Sequence, residues 1–140
     1  MSDPSTHEEL IASMATVFDL MDAATLDAWE GLTGLQIQLL RVVATGMQVD
    51  RQSLSMWTRT SRAALVPSLA ALLQRRILVE EADGEGSRLV VGPAGRQLLE
   101  TVMRARMGWI RGACASVQPP VDEGELRRAI GALQRIADGA

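Results

Sequence analysis

The sequence predicts a mainly α-helical domain carrying one small β-hairpin, on three observations. Apolar residues recur at spacings of three and four through most of the chain, the period of an amphipathic helix. Only two runs are rich in β-formers, Ile77-Leu78-Val79 and Arg88-Leu89-Val90-Val91, and they flank Asp83-Gly84-Glu85-Gly86-Ser87, a Gly-rich turn of hairpin type. The stretch before the hairpin, from Arg51 to Val79, reads as two short helices and holds Arg51, Arg59, Arg62, Arg75 and Arg76 with no carboxylate. Helix, helix, hairpin in that order is the outline of a winged helix.

A chain of 140 residues, 47% hydrophobic and 22% charged, is enough for one globular core and not for two. No run approaches the roughly 18 apolar residues that span a bilayer, and the N-terminus is polar and acidic, so a soluble, cytoplasmic protein with no membrane association is expected. The single cysteine, Cys114, excludes an internal disulfide or a Cys-rich zinc site, and the lone His7 leaves no partner for histidine chemistry. No nucleophile–base pair or metal set can be assembled, so neither an enzyme nor a cofactor is expected.

The net charge of −3 is unevenly spread. Residues 1–30 hold Asp3, Glu8, Glu9, Asp19, Asp22, Asp27 and Glu30 against no arginine or lysine, whereas arginines outnumber carboxylates in residues 50–96. Such asymmetry accompanies a nucleic-acid face. Every basic residue is arginine, whose planar fork suits phosphate and guanine edges, although GC-rich coding produces the same bias.

In chain order, Thr6 and Glu9 stand at capping-box spacing, and Leu10, Met14, Val17, Met21 and Ala24 predict a helix over residues 7–28. Ile11, Phe18 and Leu20 widen its apolar face, which suits burial against a second subunit or against the chain's own core. Gly31 stops it, Thr33 caps the next helix, and Leu35, Ile37, Leu39, Leu40, Val42 and Val43 fill that helix as far as Gly46. Met47-Gln48-Val49 is an extended link able to pair with the hairpin. Asp50 caps a short helix bearing Leu54, Met56 and Trp57. The next helix, about residues 60–76, carries Leu65, Val66, Leu69, Leu72 and Leu73 but contains Pro67. A proline is harmless only in the first turn, so this helix either starts no earlier than about Ala64 or starts at Ser61 and is kinked. After the hairpin, Pro93 opens a helix running to about Val117. Pro119-Pro120 break the chain, Asp122 caps the last helix, and Leu126, Ile130, Leu133 and Ile136 form its single apolar stripe, which needs a partner surface.

These residues resemble the MarR (multiple-antibiotic-resistance regulator) family of winged helix-turn-helix regulators over about 100 residues. Leu73-Gln74-Arg75-Arg76-Ile77-Leu78-Val79-Glu80 resembles the end of the family's recognition helix running into the wing. Gly92-Pro93-Ala94-Gly95-Arg96-Gln97-Leu98-Leu99 is similar to the family's motif after the wing, and Gly31-Leu32-Thr33 and Val121-Asp122-Glu123-Gly124-Glu125-Leu126 fit in order and spacing. The resemblance implies one domain over residues 1–140. Residues 7–28 and 93–137 would supply dimerisation helices, and residues 32–92 a winged helix-turn-helix that reads double-stranded DNA. It also implies a homodimer, an imperfectly palindromic operator and a repressor.

On that reading the amino end of the helix at 60–76, with Thr60, Ser61, Arg62 and Ser68, enters a major groove, Arg51 and Arg59 hold phosphates, and Arg88 reaches the minor groove from a short wing tip containing Asp83 and Glu85. Trp29, Trp57, Trp109, Met14, Met47, Met103 and Met107 would line a pocket for a small aromatic effector, although Met and Trp at helical spacing also serve as core. Cys114, near Arg111, is a redox candidate or a small buried hydrophobe. The same helices would serve equally in a degenerate winged-helix module that binds protein instead of DNA.

Overall fold

The computed structural model describes residues 3–84 and 86–140. The elements follow the predicted order: α1 (Pro4–Ala24), α2 (Gly34–Ala44), α3 (Arg51–Thr58), α4 (Arg62–Gln74), β1 (Leu78–Ala82), β2 (Ser87–Val91), α5 (Pro93–Ser116) and α6 (Glu123–Gly139). Mainly helical with a single hairpin is therefore the observed fold class. Glu85, expected in the wing tip, lies outside the described residues.

Three helix starts match their sequence signals because the caps close reciprocally. Thr33 Oγ1 accepts from Gln36 N at 3.2 Å, while the Gln36 side chain accepts in return from Thr33 N. Asp50 and Ser53 do the same at α3, and Asp122 and Glu125 at α6. The first helix differs from expectation. It begins at Pro4 rather than at a Thr6–Glu9 box, because Asp3 takes the capping role, accepting from Ser5 N at 3.2 Å on its side chain and from Thr6 N at 2.9 Å on its carbonyl. It ends at Ala24, not 28; residues Leu26–Trp29 form a 3₁₀ turn closed by Glu30 in the left-handed region.

The chain divides into two compact units, residues 25–104 and residues 1–24 with 105–140. The first holds every buried large apolar side chain among the described residues, with Leu39, Leu40, Val49, Leu54, Leu72 and Leu78 fully enclosed. Its sheet is the antiparallel hairpin β1–β2, registered Leu78↔Val91 through Ala82↔Ser87. The link before α3 joins it as expected, through a bridge between Val49 and Leu89 in which Leu89 N donates to Val49 O at 2.7 Å.

Two glycines fix the corner between α4, the wing and α5. A Cβ on Gly92 would lie 2.1 Å from Arg76 O, and one on Gly95 would lie 2.2 Å from Ile77 O. Side chains are excluded at both positions, which allows Gly92 N to bond Ile77 O at 2.8 Å.

In the second unit, α1 and α6 contain no buried residue among those described, and Arg106 ties α5 to α1 through Asp22 at 2.7 Å. Ile11, Phe18, Leu20, Ile130, Leu133 and Ile136 are exposed. An open groove of about 480 Å³ between α5 and α6 is lined by Met107, Ile110, Cys114, Val121 and Leu126, with Arg111 and Glu123 at its edges. Among the described residues, no helix is long and apolar enough to cross a membrane.

Candidate nucleic-acid interface

Of the basic residues singled out in the sequence, Arg51, Arg59 and Arg62 belong to the α3–turn–α4 corner, Arg75 and Arg76 follow the end of α4, and Arg88 is on the wing. Asp50 places α3 by accepting from Ser53 N at 2.8 Å, and that bond, with those from the rest of the capping loop, holds its carboxyl below the usual carboxylate value. Leu54 anchors the helix in the core, and Thr58, buried, donates its hydroxyl to Leu54 O at 2.7 Å. The helix closes at Arg59, whose left-handed backbone (φ 51°) turns the chain sharply toward α4.

The hydroxyls expected to touch DNA also build this turn. Thr60 Oγ1 donates to Thr58 O at 3.0 Å, and Ser55 Oγ donates to Thr60 O at 2.8 Å. Ser61 caps α4, its Oγ accepting from Ala64 N at 3.3 Å. This cap starts the helix at Arg62, close to the Ser61 alternative and ahead of the Ala64 start that would have put Pro67 in the first turn. Pro67 therefore sits beyond the first turn and, having no N–H, cannot donate to the Ala63 carbonyl one turn back. Ala63, Val66 and Pro67 are exposed, so water can reach the interrupted side of the helix.

The outward amino end of α4 presents Arg62, Ala63 and Ala64, all exposed, while Leu65, Leu69 and Leu72 face the core and Ser68 is half-buried. Arg62 shares a cleft of about 230 Å³ with Arg51, Gln52, Leu65, Val66 and Leu69. Arg59 and Arg62 take part in no ion pair among the described residues.

Arg51 and Arg88 are differently placed. Arg51 donates through Nε and Nη2 to Glu80 Oε1 on β1, and Arg88 on β2 lies 3.6 Å from Glu81 directly across the ladder. Sequence reasoning missed Glu80 and Glu81 as partners of these arginines. The Glu81–Arg88 pair could have been found from the hairpin register; the Arg51–Glu80 pair, 29 residues apart, could not.

The proposed effector residues fall in both units. Trp29 is buried in the core of the 25–104 unit with the Arg41 guanidinium 5.4 Å from its ring centroid. In the same unit Trp57 is exposed on α3, and Met47 lines a shallow cavity with Val43, Arg88 and Val91. In the other unit Met14 and Trp109 are half-buried, on α1 and α5, and Met107 lines the α5–α6 groove. Met103 is an exposed residue of the part of α5 that belongs to the first unit. Cys114 lies half-buried in the α5–α6 groove.

No protein-family model matches the sequence, and no curated protein matches it. Solved structures do match the fold. The transcriptional regulator Tm0710 of Thermotoga maritima superposes with a TM-score of 0.74 at 15% identity, over 97% of this chain and 94% of that one. A MarR family protein of Bacillus stearothermophilus gives 0.71 at 12% identity, over 99% and 98%. Staphylococcus aureus MarR in complex with salicylate and kanamycin gives 0.64 at 17% identity, over 96% and 92%. With six α-helices and a two-stranded wing among the described residues, and more than nine-tenths of each of these structures covered, the chain has the winged helix-turn-helix fold of MarR-family transcriptional regulators.

Proposed function

We propose that the chain is a cytoplasmic, homodimeric DNA-binding regulator of transcription of the MarR kind. The observation that carries this reading is the amino end of α4. Arg59 and Arg62 stand exposed and unneutralised among the described residues, beside Ala63 and Ala64, small enough to allow close approach to base edges. Thr60 in the turn and Ser61 at the cap add hydroxyls at the same end, Ser68 stands half-buried farther along α4, Arg51 shares the cleft with Arg62, and Arg88 is the arginine of the wing. Dimerisation is supported by α1 and α6, on which Ile11, Phe18, Leu20, Ile130, Leu133 and Ile136 stand exposed. A twofold dimer would read an imperfect palindrome with half-sites about one helical turn apart. Repression, with release by a small aromatic effector, is the mode we assign, since one structural neighbour is a salicylate complex. The test is a mobility shift on the promoter region of its own gene, with and without salicylate. Loss of binding between about 50 and 200 mM salt marks phosphate engagement. No binding at low salt would remove this reading.

A second reading has its own support. Met56, 77% exposed, and Trp57 and Val66 give the α3–α4 surface an apolar character that suits protein association. Salt-insensitive capture of a protein partner, without DNA binding, would favour it.

A further inference from the structure

Resting on the DNA-binding reading above, we infer that Glu80 and Glu81 act as an electrostatic brake on DNA binding, holding Arg51 and Arg88 in neutral pairs. The two carboxylates are consecutive on β1, so the strand's alternation sends them to opposite faces of the wing. On one face Glu80 Oε1 accepts from two nitrogens of Arg51, at the start of α3, and Glu80 Oε2 accepts from Ser87 Oγ at 3.3 Å. On the other face Glu81 lies opposite Arg88 in the ladder. One dipeptide thereby restrains an arginine on each side of the wing, drawn from two different elements.

The electrostatic consequence follows from distance. A guanidinium against a carboxylate offers little net charge to a phosphate farther off than the pair's own separation, and the carboxylate itself repels that phosphate. The Arg51 and Arg88 side chains are 58% and 42% exposed, so both pairs contribute little to folding stability and their effect falls on binding. Arg59 and Arg62, which have no such partners among the described residues, carry the phosphate attraction of the unbraked surface. Glu80 and Glu81 are thus positioning residues that act through Arg51 and Arg88.

The test uses the full chain and mixed-sequence duplex DNA, with affinity followed by fluorescence anisotropy from about 50 to 200 mM salt. Wild type is compared with Glu80→Gln, Glu81→Gln and the double variant. Glu123→Gln on α6, which removes the carboxylate paired with Arg127, controls for net charge alone. Binding should tighten in each wing variant, and the slope of log affinity against log salt should steepen by about 0.9 for each additional phosphate engaged. If Arg59 and Arg62 of a dimer engage about four phosphates, and the double variant frees Arg51 and Arg88 for about four more, the slope moves from about −3.6 to about −7. Melting temperature should stay unchanged, which separates the brake from a structural role. Unchanged slopes, weaker binding in the wing variants, or an equal effect of Glu123→Gln would overturn the brake and leave the DNA-binding reading standing. No binding by any of the proteins at the lowest salt would remove both.

Discussion

Substituting Gly95 by alanine tests the tight packing at the corner of α4, the wing and α5. Gly95 is the third residue of α5, where alanine would ordinarily help by about 0.5–1 kcal/mol through helix propensity. Here the added Cβ would sit 2.2 Å from Ile77 O and 2.9 Å from Val91 Cγ1. Ordinary carbon–oxygen approaches begin near about 3.3 Å, so the carbonyl would have to give way by about 1 Å. That carbonyl also accepts from Gly92 N at 2.8 Å, the bond joining the end of the wing to the start of β1. Overpacking of this kind costs about 1–3 kcal/mol, and a disturbed buried hydrogen bond about 1 kcal/mol more. After the propensity gain, a net loss of about 1–3 kcal/mol remains. At roughly 3–4 °C per kcal/mol for a chain of this length, the melting temperature should fall by about 3–12 °C. The assay is thermal unfolding followed by circular dichroism, with Gly108→Ala as the companion variant. Gly108 lies in the same helix and a Cβ there meets nothing within 4 Å, so that variant should melt at or slightly above wild type. If Gly95→Ala is as stable as wild type, the close approach of α5 to Ile77 is refuted. If Gly108→Ala also falls, a second chain occupies that space.

The other expectations concern binding, assembly and acid. Arg62→Ala should weaken DNA binding and reduce the salt slope by about 1 for each phosphate no longer engaged, and Arg88→Ala should weaken it by leaving the Glu81 carboxylate unpaired, with circular dichroism and oligomeric state unchanged; wild-type binding by both variants would show that the reading head was misassigned. Arg88 should matter less than Arg62, because Glu81 already offsets its charge. Leu133→Glu, in the exposed apolar stripe of α6, should convert the proposed dimer to monomer in sedimentation, whereas Arg135→Glu on the same helix should not. The Asp50 carboxyl, held below its ordinary 3.8 by the bonds from Ser53, contributes stability that is present in full above that value and lost as pH falls through the lower folded one. Melting curves from about pH 5 to pH 2 should therefore show a smaller acid loss for Asp50→Asn, which keeps the cap without the charge, and equal losses would rule out this contribution.

Element order and most helix starts were legible in the amino-acid sequence, because those are local matters. Thr33, Asp50 and Asp122 bond amides three residues on, and that geometry depends on nothing farther away. Apolar stripes at helical spacing and a Gly-rich turn likewise announced the helices and the hairpin, and the Val49 link paired as its position suggested. Where local signals competed, the sequence was harder to read. Asp3 won the first cap from Thr6, and Ser61 started α4 early enough to leave Pro67 within the helix. Which charges survive unpaired is settled by packing between distant segments. The five arginines from Arg51 to Arg76 stand in a stretch with no carboxylate, yet folding brings β1 against α3 and gives Arg51 a carboxylate 29 residues away, while the ladder gives Arg88 another. A linear count of charge cannot register this, because pairing depends on distances of a few ångströms that only the packed wing sets.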